Sequence, residues 1–203
     1  MMSLQPITLA LTGGIACGKS ETGRILAEKG FAVLDADTLA HGLMAAGMPV
    51  YRKVVDRFGP DTVGENGELD REALGRIVFS NPDALQDLNA IVHPAVIEVA
   101  EEWKKQQAGD AAVLVPLLFE AGWTAGWSAI ICVSTDEQTV FQRLEKRGLS
   151  EDEARKRISA QMPLSEKEKR ADFIIKNNDT LDALREKTIA VINAVRSGGN
   201  EDE

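Results

Sequence analysis

One eight-residue run limits what this chain can fold into: Gly13-Gly14-Ile15-Ala16-Cys17-Gly18-Lys19-Ser20. It satisfies the pattern G-x-x-x-x-G-K-[ST]. It lies between an apolar run, residues 7–12, and a stretch of helix formers, residues 21–29. Strand, glycine-rich turn and helix in that order bring backbone N–H groups together in a small concave nest. Glycines permit the turn because they lack a Cβ. The helix that follows aims the positive end of its dipole at the same point. The strand before and the helix after are the context this motif requires. A glycine-rich turn with an accidental lysine is the competing account, and the flanking strand and helix weigh against it.

The remaining apolar runs extend the pattern. Residues 31–34, 111–115, 129–133 and 173–175 are short and bounded by polar residues, glycine or proline, and most are rich in valine and isoleucine. Helical stretches separate them, and this alternation predicts a parallel sheet covered on both faces. Helix starts are signalled as well. Ser150 with Glu153, and Ser165 with Glu168, fit capping boxes. Asn81 before Pro82 fits an N-cap followed by proline at the first helical position, and Thr180 caps the last helix.

The spacing of the runs is uneven, and it divides the chain. The expectation is a three-layer α/β/α P-loop NTPase fold with a five-stranded parallel sheet. Its core takes residues 1–38, 110–142 and 171–196. Residues 39–109 form a helical substrate-binding insertion, with Leu69, Leu74, Ile77, Val78, Leu85, Leu88 and Ile91 at mixed three- and four-residue steps. Residues 143–170, dense in charge, form a lid. Residues 197–203 read as a disordered tail.

Composition narrows the partners. A net charge of −9 argues against a general nucleic-acid binder, because phosphate-backbone binding runs on positive charge. A polyanion can still be held locally by backbone N–H groups and a few placed cations. The apolar runs are too short to cross a bilayer, no secretory pattern opens the chain, and two cysteines make no disulfide framework. A cytoplasmic protein, free of membrane and nucleic acid, is expected, as a monomer or weak homo-oligomer.

Within the loop, Lys19 suits the β- and γ-phosphates of ATP, and the Ser20 hydroxyl suits Mg²⁺, a hard ion that prefers oxygen. Cys17 has two readings: a thiol with lowered pKa at a helix N-terminus, or a small residue tolerated at a variable position. The second apolar run ends in Asp35-Ala36-Asp37. Positions two apart in an extended chain face the same side, so both carboxylates can project from the carboxyl end of the sheet. One then accepts a proton from an attacking hydroxyl, while the other orients it or holds a metal-bound water. Asp37 also reads as a helix N-cap. Glu120 follows Val115-Pro116-Leu117-Leu118-Phe119 and reads equally as a site carboxylate or a surface residue. His93 is alone in the insertion, where packing is the commoner role. Arg143, Lys146, Arg147, Arg155, Lys156 and Arg157 are candidate phosphate contacts, though most must be a solvated helix face.

Several blocks together resemble the dephospho-CoA kinase family. They are Leu11-Thr12-Gly13-Gly14-Ile15 with Gly18-Lys19-Ser20, then Asp35-Ala36-Asp37, His93-Pro94 and Pro116-Leu117-Leu118-Phe119-Glu120. The region from Arg147 through Arg157 and Ile158 to Gln161 follows, and Ala171-Asp172-Phe173-Ile174-Ile175 with Asn177 closes the series. The matches run in order from about Leu9 to Leu184. The resemblance implies transfer of phosphate from ATP, with Mg²⁺, to the ribose 3′-hydroxyl of dephospho-coenzyme A, the last step of coenzyme A synthesis. It implies that residues 39–109 bind the coenzyme A portion. It makes Asp37 the base, Lys19 and Arg147 the charge stabilisers, and Ser20 the metal ligand. Gly13 through Ser20, including Ile15, Ala16 and Cys17, then bind ATP together with Asn177, near the adenine. Asp35, His93, Phe119 and Glu120 fall on the acceptor side. The chain departs from the family at Ala16-Cys17, where Gly-Ser is usual, at Glu21, where threonine is usual, and at Asn178-Asp179, where a glycine is frequent. Glu21 places a negative charge near the phosphates. From the residues alone, another small-molecule kinase remains open. A GTPase switch is disfavoured because the chain has no Asn-Lys-x-Asp motif.

Overall fold

The structure is a computed structural model and describes residues 5–198. Five strands form one sheet: β1 (Thr8–Gly13), β2 (Ala32–Asp35), β3 (Ala111–Leu114), β4 (Ala129–Ser134) and β5 (Phe173–Lys176). Their order is β2-β3-β1-β4-β5, and every pairing is parallel. Register sets Leu11 beside Leu114 and Ile131, and Asp35 beside Leu114. Because all five strands point one way, the loops after β1, β2, β3 and β5 emerge at one edge. Ligands bind at that edge in open α/β sheets.

The chain divides into two compact units, Met1–Asp35 with Lys104–Glu203, and Ala36–Trp103. In the first, alternation along the strands sends Leu9, Leu11, Ala129, Ile131 and Ile175 into a core closed by α1 (Lys19–Glu28) and α9 (Leu181–Gly198). Ile25 and Leu26 of α1, and Leu184, Ile192 and Val195 of α9, complete it. Ala10, Val113 and Ile130 on the alternate face are buried too. A parallel sheet covered on both faces explains why its strands read as unbroken apolar runs.

Three further helices of this unit are α6 (Glu137–Glu145), α7 (Glu151–Ser159) and α8 (Leu164–Arg170). They fall largely in the segment expected to be a lid. They share a core with the phosphate loop: Cys17, Val133, Val140, Leu144 and Ala154 are buried together, with Ile15, Ile158 and Leu164 packed on them.

The second unit is helical. It holds α2 (Ala36–Leu43), α3 (Pro49–Phe58), a 3₁₀ turn (Pro60–Thr62), α4 (Arg71–Ser80) and most of α5 (Pro82–Lys105), which continues into the first unit. Val50, Val54, Leu74, Val78, Ala84, Val92 and Val96 are buried here. Ile77, Leu85, Leu88 and Ile91 are half-buried.

Caps divide into hits and one miss. Ser150 and Glu153 form the reciprocal capping box that opens α7. Asn81 accepts from the N–H groups of Asp83 at 2.9 Å and Ala84 at 3.4 Å, and Thr180 accepts from Ala183 N–H at 3.3 Å. Ser165 caps nothing. Pro163 stands at the N-cap of α8, and Ser165 is already inside the helix. Proline fixes the backbone for helix entry two residues early, and the serine pattern is left stranded in the first turn. Ser197 and Gly198, expected in a disordered tail, close α9, while 199–203 lie outside the described residues.

Ser150→Ala should therefore cost about 1 kcal/mol in urea unfolding. Ser165→Ala, at an exposed non-cap position, should stay within about 0.5 kcal/mol. Equal losses would mean the two serines do the same work.

Candidate active site

Two glycines shape the loop between β1 and α1. At Gly13, φ is 138°, and an added Cβ would lie 2.0 Å from the Val133 carbonyl oxygen. At Gly18, φ is 105°, and an added Cβ would lie 2.1 Å from the Asn177 side-chain nitrogen. Both need a left-handed or related backbone and have no room for a side chain. Ala16 also has positive φ, 57°, a strained value for a residue with a Cβ.

The loop is braced from two sides. The buried Asn177, just past β5, donates its amide to the Cys17 carbonyl at 2.8 Å. Arg143 of α6 donates to the Ala16 carbonyl at 3.0 Å and to the Asn177 carbonyl at 3.1 Å. These contacts turn the loop's carbonyls toward the protein. The N-terminus of α1, with Gly18 at the N-cap, receives no side-chain cap. Its first N–H groups are thus available to an anion. Lys19 Nζ donates to the Gly13 carbonyl at 3.0 Å and the Gly14 carbonyl at 2.8 Å, which holds the ammonium over the start of the loop. The Ser20 side chain is exposed on the first turn of α1.

The departures in the loop now have physical answers. Cys17 is 1% exposed, and burial pushes its thiol above the ordinary value despite Lys19 and Arg143 nearby. Of the two readings of Cys17, the structure fits the small residue tolerated in the loop: its sulfur packs into a core. Glu21 pairs with Arg24 at 2.5 Å, and this hydrogen bond holds its carboxyl below the usual range. Its charge is matched within its own helix turn.

In the turn after β3, Glu120 Oε1 forms an ion pair with Lys167 Nζ at 2.9 Å and accepts from the Met162 N–H at 2.8 Å. Phe119 is buried, with the Arg170 guanidinium 6.0 Å from its ring centre. Lys167 also donates to the Pro116 carbonyl at 2.6 Å. Neither Lys167 nor the bracing role of Arg143 was singled out from the sequence. The one available signal for Lys167 is its spacing of three from Leu164, which puts both on one helix face.

Other candidates lie apart from this cluster in the chain. Asp35 ends β2, in the first unit. Asp37 and His93 belong to the helical unit. Asp37 is the second residue of α2, so it is not the helix N-cap that the sequence also allowed. His93 precedes Pro94 inside α5. Arg147 is exposed, immediately before Gly148 with φ 82°, while Arg155 pairs with Glu151 at 2.6 Å. Among the described residues no helix is long and apolar enough to cross a membrane.

Comparisons with known proteins agree with this geometry. The family model CoaE, dephospho-CoA kinase, matches residues 7–183. A dephospho-CoA kinase of Geobacillus kaustophilus is 44% identical over 191 residues, 92% of this chain and 95% of its own. One from Symbiobacterium thermophilum is 46% identical over 197 residues, 94% and 82% respectively. Among solved structures, TT1252 from Thermus thermophilus superposes with a TM-score of 0.79 at 36% identity, covering 94% of this chain and 97% of that one. A dephospho-CoA kinase from Campylobacter jejuni gives 0.66 at 28%, covering 95% and 98%. A shikimate kinase from Acinetobacter baumannii, at 0.53 and 16% with 98% and 97% covered, shares the fold alone.

Removing one partner of a buried ion pair strands the other. Glu120→Gln should cost about 3 kcal/mol of stability, because it leaves the Lys167 ammonium buried and unpaired, whereas replacing both partners by apolar residues, Lys167→Met with Glu120→Leu, should stay within about 1 kcal/mol. Urea unfolding of both variants tests the asymmetry, and the reverse order would contradict it. Burial also pushes the Cys132 thiol up to about 12. Both cysteines should resist a thiol reagent at pH 8 in the native protein and react fully in denaturant.

Proposed function

Since the chain belongs to the dephospho-CoA kinase family, we propose that it moves the terminal phosphoryl group of ATP to the ribose 3′-hydroxyl of dephospho-coenzyme A, giving coenzyme A and ADP. The observation that carries this reading is the uncapped N-terminus of α1 behind a braced glycine loop, in a chain matched to the family over residues 7–183.

The roles follow from chemistry. Loop amides from Gly14 to Ser20 and the dipole of α1 hold the β- and γ-phosphates. Lys19 releases its two loop carbonyls and follows the charge as it moves to the leaving oxygen. Asp37 accepts the proton of the 3′-hydroxyl. The new O–P bond forms as the bond between the γ-phosphorus and the bridging oxygen breaks, and ADP departs with that electron pair. Arg147, at a turn with a glycine behind it, neutralises the transferring group. Asp35 orients the hydroxyl. His93, Phe119 and Glu120 address the acceptor, as does the helical unit as a whole. Asn177 supports the adenine end by fixing the backbone after β5.

Mg²⁺ suits this arrangement. Ser20 offers an exposed hydroxyl oxygen, and no three His, Cys, Asp or Glu side chains cluster as a metal cage among the described residues. An ion shared with nucleotide phosphates and water is how Mg²⁺ is usually held. When bound, it supplies charge neutralisation across the phosphates.

An ADP-release assay over a panel of acceptors tests the reading. Turnover is expected with dephospho-coenzyme A, and turnover with nucleoside monophosphates alone would remove it. Asp37→Asn should lower kcat by about 10²- to 10⁴-fold with little change in ATP affinity. A near-normal rate would demote Asp37 to a helix residue. Lys19→Ala should lower kcat by about 10²- to 10³-fold, and full activity would contradict its role.

A further inference from the structure

A charged side chain is seldom wholly buried without a reason. Lys167 is 0% exposed, although α8 has the sequence LSEKEKR and its other charged residues reach solvent. Its ammonium meets two acceptors, the Glu120 carboxylate and the Pro116 carbonyl. Stability does not explain the choice, since a buried ion pair is often no better than well-packed apolar side chains.

Placement offers a better reason. Leu164 lies one turn before Lys167 on the same helix face. A Cβ on Gly14 would meet Leu164 Cδ1 at 3.6 Å, so Leu164 lies against the phosphate loop. The Pro116 carbonyl that receives Lys167 also accepts from Thr12 Oγ1 at 3.4 Å, and Thr12 directly precedes Gly13. One helix face therefore touches the loop with its leucine and the turn after β3 with its lysine.

Glu120 is held in a particular way. Its Oε1 lies 2.9 Å from the ammonium and accepts from the Met162 N–H. The side chain keeps 21% exposure. Two contacts at one oxygen hold that end of the side chain in place.

We propose that Lys167 is a positioning residue for the reaction: it holds the Glu120 carboxylate in place beside the phosphate-loop unit. This rests on the reading of Glu120 as an acceptor-side residue given above. Lys167 touches no reacting atom. It acts by restraining the Glu120 side chain, and by tying the Pro116–Glu120 turn to the strand that feeds the phosphate loop.

Steady-state kinetics of the full chain with Mg²⁺ test this in four forms: wild type, Lys167→Met, Lys167→Arg and Lys167→Met with Glu120→Gln. Lys167→Met should raise KM for dephospho-coenzyme A about tenfold and leave KM for ATP within about twofold, because only acceptor orientation is lost. Lys167→Arg keeps the charge but not the geometry, and should give an intermediate KM. The double variant should be no worse than Lys167→Met alone, since the two residues act as a unit. An unchanged KM for dephospho-coenzyme A in both single variants would overturn the proposal. So would a parallel rise in both KM values that follows a fall in Tm. Should Lys167→Met fold poorly, the selective rise in Lys167→Arg decides. Wild-type protein that does not phosphorylate dephospho-coenzyme A would instead sink the functional reading, and this proposal with it.

Discussion

The hydrogen bond from the Asn177 amide to the Cys17 carbonyl, together with the Arg143 fork onto Ala16 and Asn177, holds the phosphate loop in its turned form. A loop with positive φ at Gly13, Ala16 and Gly18 does not keep that shape unaided, because each such value costs conformational freedom or strain. The bracing comes from two elements later in the chain, α6 and the residue after β5, more than a hundred residues away. Once the carbonyls are taken, the amides have one direction left. An anion site is thus built from backbone in a protein whose overall charge is negative.

Charge is handled locally throughout this unit. Glu21 enters the first turn of α1, where a negative group favours the dipole but opposes a phosphate. Arg24 answers it three residues on. Lys167 and Glu120 answer each other across α8 and the turn after β3. The net charge of −9 therefore says little about the field at the loop. What counts is that Lys19 and the uncapped end of α1 meet there.

Much of this was legible in the sequence where the cause is local. The strands appear within about a residue of their observed ends, because burial on both faces forces continuous apolar runs. Ser150, Asn81 and Thr180 announce helices since each cap is a contact within three residues. Ser165 misleads for the same reason: the pattern is present, but Pro163 starts the helix first. Asn177 stands out in the sequence, but its bond to the loop was not legible, because its partner lies 160 positions away. Lys167 was hidden among charged neighbours. Nothing in LSEKEKR distinguishes the lysine that points inward, since the Pro116 carbonyl and Glu120 that satisfy it are about fifty residues earlier. The helical unit runs from Ala36 to Trp103, with α2 starting directly after β2 and α5 continuing into the sheet-bearing unit.

Backbone amide shifts in ¹H–¹⁵N spectra test the central claim most directly. On titration with ATP and Mg²⁺, the amides of Gly14 to Ser20 should move most and saturate together, because they are the groups that grip the phosphates. Saturable binding that leaves those amides unmoved while others shift would contradict the account.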